Sequence, residues 1–380
     1  MNAYFLKEND LGPFVDRLIA ATTVIGPVAK KTKFVFGELK AASDLRLDYS
    51  CTILPPKKVF FPPQQPLLTF HGTKTESCIA PVDQVLFGVH VYDLKGIDIL
   101  DKLFREGNAD QNYLANREHT TIVGCSVQAV APRAFWGSMS PELAPEGHDA
   151  FITRIAGGYV FETRTPKGEA LVRHGGFITA TIEQHAMAVA ENEGVARECP
   201  ETMKYSSAEV AGKVRAAFGD EELWKKLAAD CLSCGTCNIV CPTCYCFDVQ
   251  DAWNLDQVSG VRYRTWDGCM LPGFAEVSLN GGTTENFREL PHERYRHRVM
   301  RKTTYLNDKI GGPACVGCGR CALSCLADIA DPVPIVETIM ERSAVSHAAD
   351  RGDEAERGVG APASEELGGV QGSPPFNSEG

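Results

Sequence analysis

The sequence predicts an α+β chain: a mixed α/β first half, then a compact cysteine-rich module, then a disordered acidic tail. Three observations predict it. Strand-like and helix-like stretches alternate through residues 1–200, and a run of four cysteines occurs twice after residue 230. From residue 343 the composition narrows to Gly, Ala, Glu, Pro and Ser.

The elements follow in order. Asn9 or Asp10 is placed to cap a short helix with Phe14, Val15, Leu18 and Ile19 on one face. Strands are expected at 23–28, 33–36, 59–61 and 85–91, the last of which, VLFGVHV, reads as buried. It runs through Tyr92 and Asp93 into a helix on which Leu94, Ile97, Leu100 and Leu103 recur at helical spacing. Further strands are expected at 120–124, 150–155 and 158–163, which together make a mixed sheet of undetermined strand order. Residues 1–200 are expected to form an α/β partner-docking domain. A helical connector over 201–230 opens on a capping box, Ser206 with Glu209, and carries Val210, Val214 and Phe218 on one face. A second short helix, 221–229, bears Leu223, Trp224 and Leu227. Residues 343–380 hold seven acids and two arginines. Such a segment buries too little apolar surface to offset its ordering entropy, so a disordered tail is expected, with conditional docking as the alternative.

The formal charge of −11 argues against sequence-independent nucleic-acid binding, which needs a basic surface. No basic segment followed by an apolar run opens the chain, so no secretory signal is read. The apolar stretch from Leu18 to Ala29 is too short, and too interrupted by Thr22, Thr23, Gly26 and Pro27, to span a bilayer. Fifteen cysteines without a secretory signal point to metal or redox chemistry rather than disulfides, and the cytoplasm is the expected location.

The cysteine runs are specific. Cys231, Cys234, Cys237 and Cys241 follow the spacing C-x2-C-x2-C-x3-C, with Pro242 next. Cys315, Cys318, Cys321 and Cys325 repeat it, with Leu326 in place of the proline. This is the bacterial ferredoxin pattern for two [4Fe–4S] clusters, in which the fourth cysteine of each run ligates the other cluster. The expected ligands of the first cluster are Cys231, Cys234, Cys237 and Cys325; those of the second are Cys315, Cys318, Cys321 and Cys241. Gly235, Gly317 and Gly319 are expected to let the backbone approach the inorganic sulfides. Zinc fits poorly, because zinc sites take two separated C-x2-C pairs rather than two runs of four. The ligand thiolates and two 2+ cores would carry the charge from −11 to about −15.

Residues 231–342 are thus expected to form a ferredoxin-like two-cluster domain with an insertion, since the runs begin 84 residues apart, at 231 and 315. The insertion holds Cys244, Cys246 and Cys269, which either ligate a further centre or are small buried hydrophobes. Cys51, Cys78, Cys125 and Cys199 read as structural. Arg288, Arg294, Arg296, Arg298, Arg301 and Lys302 form a basic stretch that either offsets cluster charge, steers an acidic partner, or is a solvated helix face. No G-x-G-x-x-G fingerprint or Walker loop is present, so nicotinamide, flavin or nucleoside triphosphate binding by this chain is not supported.

With these motifs placed, the chain resembles the dicluster iron–sulfur subunits that include sulfhydrogenase β subunits and the iron–sulfur subunit of anaerobic sulfite reductase. The likeness covers about residues 4–340 and includes YFLKENDLGPFVDRL, LDYSCTILPPKKVFFP, GVHVYDLKGIDILDKLF, CPTCYCFDVQD, WDGCMLPGFAEVS, RYRHRVMRK and CVGCGRC. The resemblance implies a non-catalytic electron relay. Its implied partners are a flavin-containing, NAD(P)H-linked subunit and a catalytic subunit, either a [NiFe] hydrogenase or a sulfite reductase. Members often carry further cysteines in the α/β half, where this chain has Tyr92, Ala134 and Trp136 and keeps only Cys125. A third cluster there is therefore not expected. The competing reading is a reductase with its own site at Cys244, Cys246 and Cys269.

Overall fold

The computed structural model describes residues 2–139, 146–279 and 281–353, the side chains of 343–353 apart. The first half is built on an eight-stranded mixed sheet. Strand β1 (Asn2–Lys7) leads to helix α1 (Leu11–Ala21), followed by β2 (Thr23–Lys30) and β3 (Lys33–Glu38). A hairpin, β4 (Gln64–His71) and β5 (Lys74–Ser77), leaves this sheet. The chain returns through β6 (Gln84–His90), α2 (Val91–Arg105), α3 (Gln111–Glu118), β7 (Thr120–Cys125), β8 (Ala150–Ile155) and β9 (Gly158–Thr163). Helix α4 (Pro166–Val172), the short β10 (Ile178–Thr179) and α5 (Ile182–Ala196) complete it. The strand order is β10-β1-β9-β8-β7-β6-β2-β3, with β2, β6, β7 and β8 parallel and the other pairs antiparallel.

Most expected strands and both connector helices lie where the pattern places them. Three details differ. Residues 56–59 form a 3-10 turn instead of entering a strand, because Pro55 and Pro56 open the turn and Phe60 and Phe61 are both fully buried, with no alternation. Helix α1 has no side-chain cap, since a 3-10 turn over Glu8–Asp10 feeds it directly. Phe218 lies beyond α6 (Ser207–Ala216) and is exposed, its ring against Arg296; Val210 and Val214 are the buried residues of that helix. The Ser206–Glu209 capping box is present, as expected.

After α7 (Glu221–Leu227) come α8 (Thr236–Ile239), β11 (Phe247–Trp253), β12 (Ser259–Trp266), β13 (Glu276–Ser278), β14 (Thr284–Asn286), α9 (Pro291–Thr303), α10 (Asn307–Ile310), α11 (Arg320–Ser324) and α12 (Pro332–Asp353). Helix α12 thus continues into the segment expected to be a tail from residue 343; residues 354–380 lie outside the described residues.

The two halves share structure. Strand β12 pairs antiparallel with β4, so residues 259–265 of the insertion join residues 64–71 in one four-stranded sheet, β11-β12-β4-β5. Arg264 of β12 is buried there, ion-paired to Asp110 and bonded to Gln65, with its guanidinium 4.7 Å from the Phe61 ring. One apolar core fills the sheet of the first half, and a second lies among α6, α7, α9 and α12. A third is mixed, joining Tyr92, Ile99, Ala134 and Trp136 to Leu306, Ile310, Val316 and Cys318. Among the described residues no helix is long and apolar enough to cross a membrane.

Candidate metal centres

The cysteine runs fold as two tight loops, each ending in a short helix. The first loop uses left-handed backbone at Ser233 and Gly235 and runs into α8; the second uses it at Gly317 and Gly319 and runs into α11. The two glycines of the second loop answer to more than φ. A Cβ on Gly317 would stand 2.6 Å from the Trp136 backbone, and one on Gly319 would stand 2.5 Å from the Arg133 carbonyl oxygen. On their Cβ side, the loop presses on residues 133–136 of the α/β half, so these two glycines serve close packing between the halves. The Phe135 amide also donates to the Gly317 carbonyl at 2.9 Å.

The runs exchange their last members. Cys231, Cys234 and Cys237 line one small cavity together with Cys325, beside Met270, Tyr295 and Arg298. Cys315, Cys318 and Cys321 line a second, of about 290 Å³, together with Cys241, beside Pro242, Arg298 and Lys302. Among the described residues, no three or more His, Cys, Asp or Glu side chains stand close enough to hold a single metal ion. The thiols edge cavities instead of converging on a point.

Whether the residues fit a pair of anionic clusters is tested by burial and charge. Burial pushes the Cys237 thiol up to about 11 and Cys315 up to about 12, and raises Cys318 and Cys321 as well. Such thiols become thiolates only when a cation compensates them. Cys241 is held low by a hydrogen bond from Cys244 and by the Lys302 ammonium. Arg298 is buried, and among the described residues its Nε has no hydrogen-bond partner and no carboxylate lies within ion-pair range of it. A buried cation without a counter-charge costs several kcal/mol, roughly, so the site is balanced only when negative charge occupies the cavities. Two quartets of thiolate sulfur around buried cations fit two [4Fe–4S] clusters.

The three further cysteines of the insertion line neither cavity, although Cys244 bonds to Cys241 and Cys269 packs in the core that Cys231 and Cys237 adjoin. The Asn238 side-chain amide lies between two of them, 3.5 Å from the Cys244 sulfur and 3.5 Å from the Cys269 sulfur, and its carbonyl accepts from the Met270 amide at 3.1 Å. Cys246 lies near Cys269, and burial raises the Cys246 thiol. Lys57, buried, donates to the Cys244 carbonyl at 2.6 Å and stacks on Trp266 at 4.3 Å; burial lowers it to about 8. In the α/β half, Cys125 and Cys199 border a cavity of about 840 Å³ with Trp136 and His148.

Several residues that shape the centres have no motif in the sequence. Arg320, in the second run, reaches across to Asp93 with two bonds of 2.6 Å, and its Nε donates to the Thr52 carbonyl at 2.8 Å. Asn238 is equally unmarked. The basic stretch does carry a readable signal, since Arg294, Arg298 and Lys302 recur every four residues and share one face of α9.

Comparison with known proteins agrees with this geometry. Residues 230–329 match the family of 4Fe-4S dicluster domains. The chain is similar to sulfhydrogenase 2 subunit beta of Pyrococcus furiosus, 32% identical over 328 residues that make up 86% of this chain and 95% of that relative. No solved structure matches.

Proposed function

This chain belongs to the family of sulfhydrogenase β subunits, and on that premise we propose that it relays electrons within a multi-subunit cytoplasmic oxidoreductase. The relay runs between a flavin-containing, NAD(P)H-linked subunit and a catalytic subunit of hydrogenase or sulfite-reductase type. Cys231, Cys234, Cys237 and Cys325 would hold one [4Fe–4S] cluster, and Cys315, Cys318, Cys321 and Cys241 the other. The clusters supply one-electron storage, and the chain supplies burial, charge and position. What supports this reading most is the crosswise gathering of the two runs, each cavity taking three thiols from one run and one from the other.

All eight thiols are committed to ligation in this arrangement, which suits electron transfer rather than substrate turnover. The α/β half buttresses the second loop through Phe135, Trp136 and Asp93 and offers the surface for docking.

The test is anaerobic isolation of the full chain, iron and labile-sulfide assay, and electron paramagnetic resonance after reduction. About eight irons per chain and two interacting signals are expected. Zinc in place of iron, or no labile sulfide in fully assembled protein, would overturn the reading. Copurification from the native host should retain a flavoprotein and a catalytic subunit.

A further inference from the structure

Helix α9 carries Arg294, Arg298 and Lys302 at successive four-residue steps. This spacing stacks the side chains along one face, and eight residues of helical rise cover about 12 Å. The three cations therefore form a ladder running from one cysteine loop to the other. Arg294 is buried and donates to the Ser233 hydroxyl at 2.9 Å, inside the first loop. Lys302 borders only the second cavity, where Cys241 is its neighbour and Nζ donates to the Thr243 hydroxyl at 2.6 Å.

Arg298, the middle rung, borders both cavities. The thiols near it are Cys237 from the first quartet, Cys321 and Cys241 from the second, and Cys244 of the insertion, with the Cys321 thiol in hydrogen-bonding range. Its contrast with Arg320 is instructive. Arg320 is also buried beside the second quartet, but Asp93 neutralises it through two hydrogen bonds. Arg296 and Arg301 project elsewhere, onto the Phe218 and Tyr245 rings. Arg298 alone among these arginines combines burial, an unpartnered Nε and exposure to thiols of both quartets.

A fixed positive charge at short range, in surroundings of low polarity, favours whichever oxidation state carries the additional electron. Building on the ligand reading above, we propose that Arg298 is a shared positioning charge that raises the reduction potentials of both centres together, while Lys302 raises the second alone. Each centre takes up one electron and releases one, and Arg298 neither gains nor loses a proton. The difference between the two rungs thus sets the potential step across the relay.

The experiment uses the anaerobically assembled full chain and the variants Arg298→Gln, Arg298→Lys and Lys302→Gln. Iron and labile sulfide are assayed first; potentiometric titration followed by electron paramagnetic resonance then reads both midpoints, with Cys318→Ala identifying the second centre's signal. Arg298→Gln is expected to lower both midpoints, Arg298→Lys to return both toward the parent values, and Lys302→Gln to lower the second only. A fully loaded Arg298→Gln protein in which either midpoint stays put overturns the proposal. If that variant fails to assemble, Lys302→Gln decides: displacement of the second midpoint alone supports the ladder, and displacement of both or neither overturns it. Iron-free parent protein would instead defeat the ligand reading itself.

Discussion

Arg320 and Asp93, 227 positions apart, form a bidentate ion pair of 2.6 Å on each arm, with both side chains almost wholly withdrawn from solvent. It fastens the second cysteine loop to the first turn of α2. Removing one member leaves a buried charge unopposed, so Asp93→Asn should destabilise the protein by about 3–5 kcal/mol. Replacing both members together, Asp93→Leu with Arg320→Met, should recover much of that loss. Thermal unfolding of both variants against the parent checks it; equal losses in the single and double variants would contradict the pairing.

The second loop also depends on a position without a side chain. Gly317 sits at φ 68°, and a methyl group there would meet the Trp136 backbone. Gly317→Ala should cost about 1–2 kcal/mol for the left-handed backbone alone, with the steric contact adding to it. The expected outcome is a lower thermal midpoint and reduced iron loading at the second centre, whereas Gly219→Ala, where a methyl group has open space, should load normally.

Cys318→Ala should remove one quartet member while leaving the other quartet intact. Iron is expected to fall from about eight to about four per chain, with loss of one paramagnetic signal. An unchanged spectrum and full relay activity would show the ligand set to be wrong.

His148 introduces a pH dependence. It is buried, neither ring nitrogen has a hydrogen-bond partner among the described residues, and its ring meets Phe151 edge-on at 5.9 Å. Burial, reinforced by Arg164 and Arg117, lowers its pKa to about 4. The unfolded chain therefore binds a proton near pH 6.5 that the folded chain refuses, so stability is full above that pH and is lost as pH falls toward 4. The effect amounts to at most about 3 kcal/mol. His148→Gln should flatten this part of the profile, read as the difference between urea unfolding at pH 7 and pH 4.5 in variant and parent. A parallel profile in both would exclude His148 as the source.

The sequence discloses what local pattern encodes. The thiol spacing of Cys231–Cys241 and Cys315–Cys325, the buried strand before α2 and the Ser206 cap all depend on near neighbours, and each is found in place. What stays hidden depends on distant partners. Strand β12 meets β4 across some 190 residues, and no periodicity in either announces the other. Asp93 looks like an ordinary first-turn acid until Arg320 arrives, and Gly319 looks like a loop glycine until the Arg133 carbonyl fills the space beside it. Residues 59–61 mislead for a different reason: Phe60 and Phe61 are both buried in an irregular turn, and hydrophobicity without alternation reads there as a strand.

The shared sheet sets the smallest piece of this protein that can stand alone. A fragment cut at residue 230 would carry β11 and β12 away from β4, baring the main-chain donors and acceptors along one side of β12. Unsealed margins of that kind recruit other chains, so such a fragment should self-associate in solution. The same seam ties the cysteine-bearing portion to the α/β portion through main-chain hydrogen bonds, so a grip on one is a grip on the other.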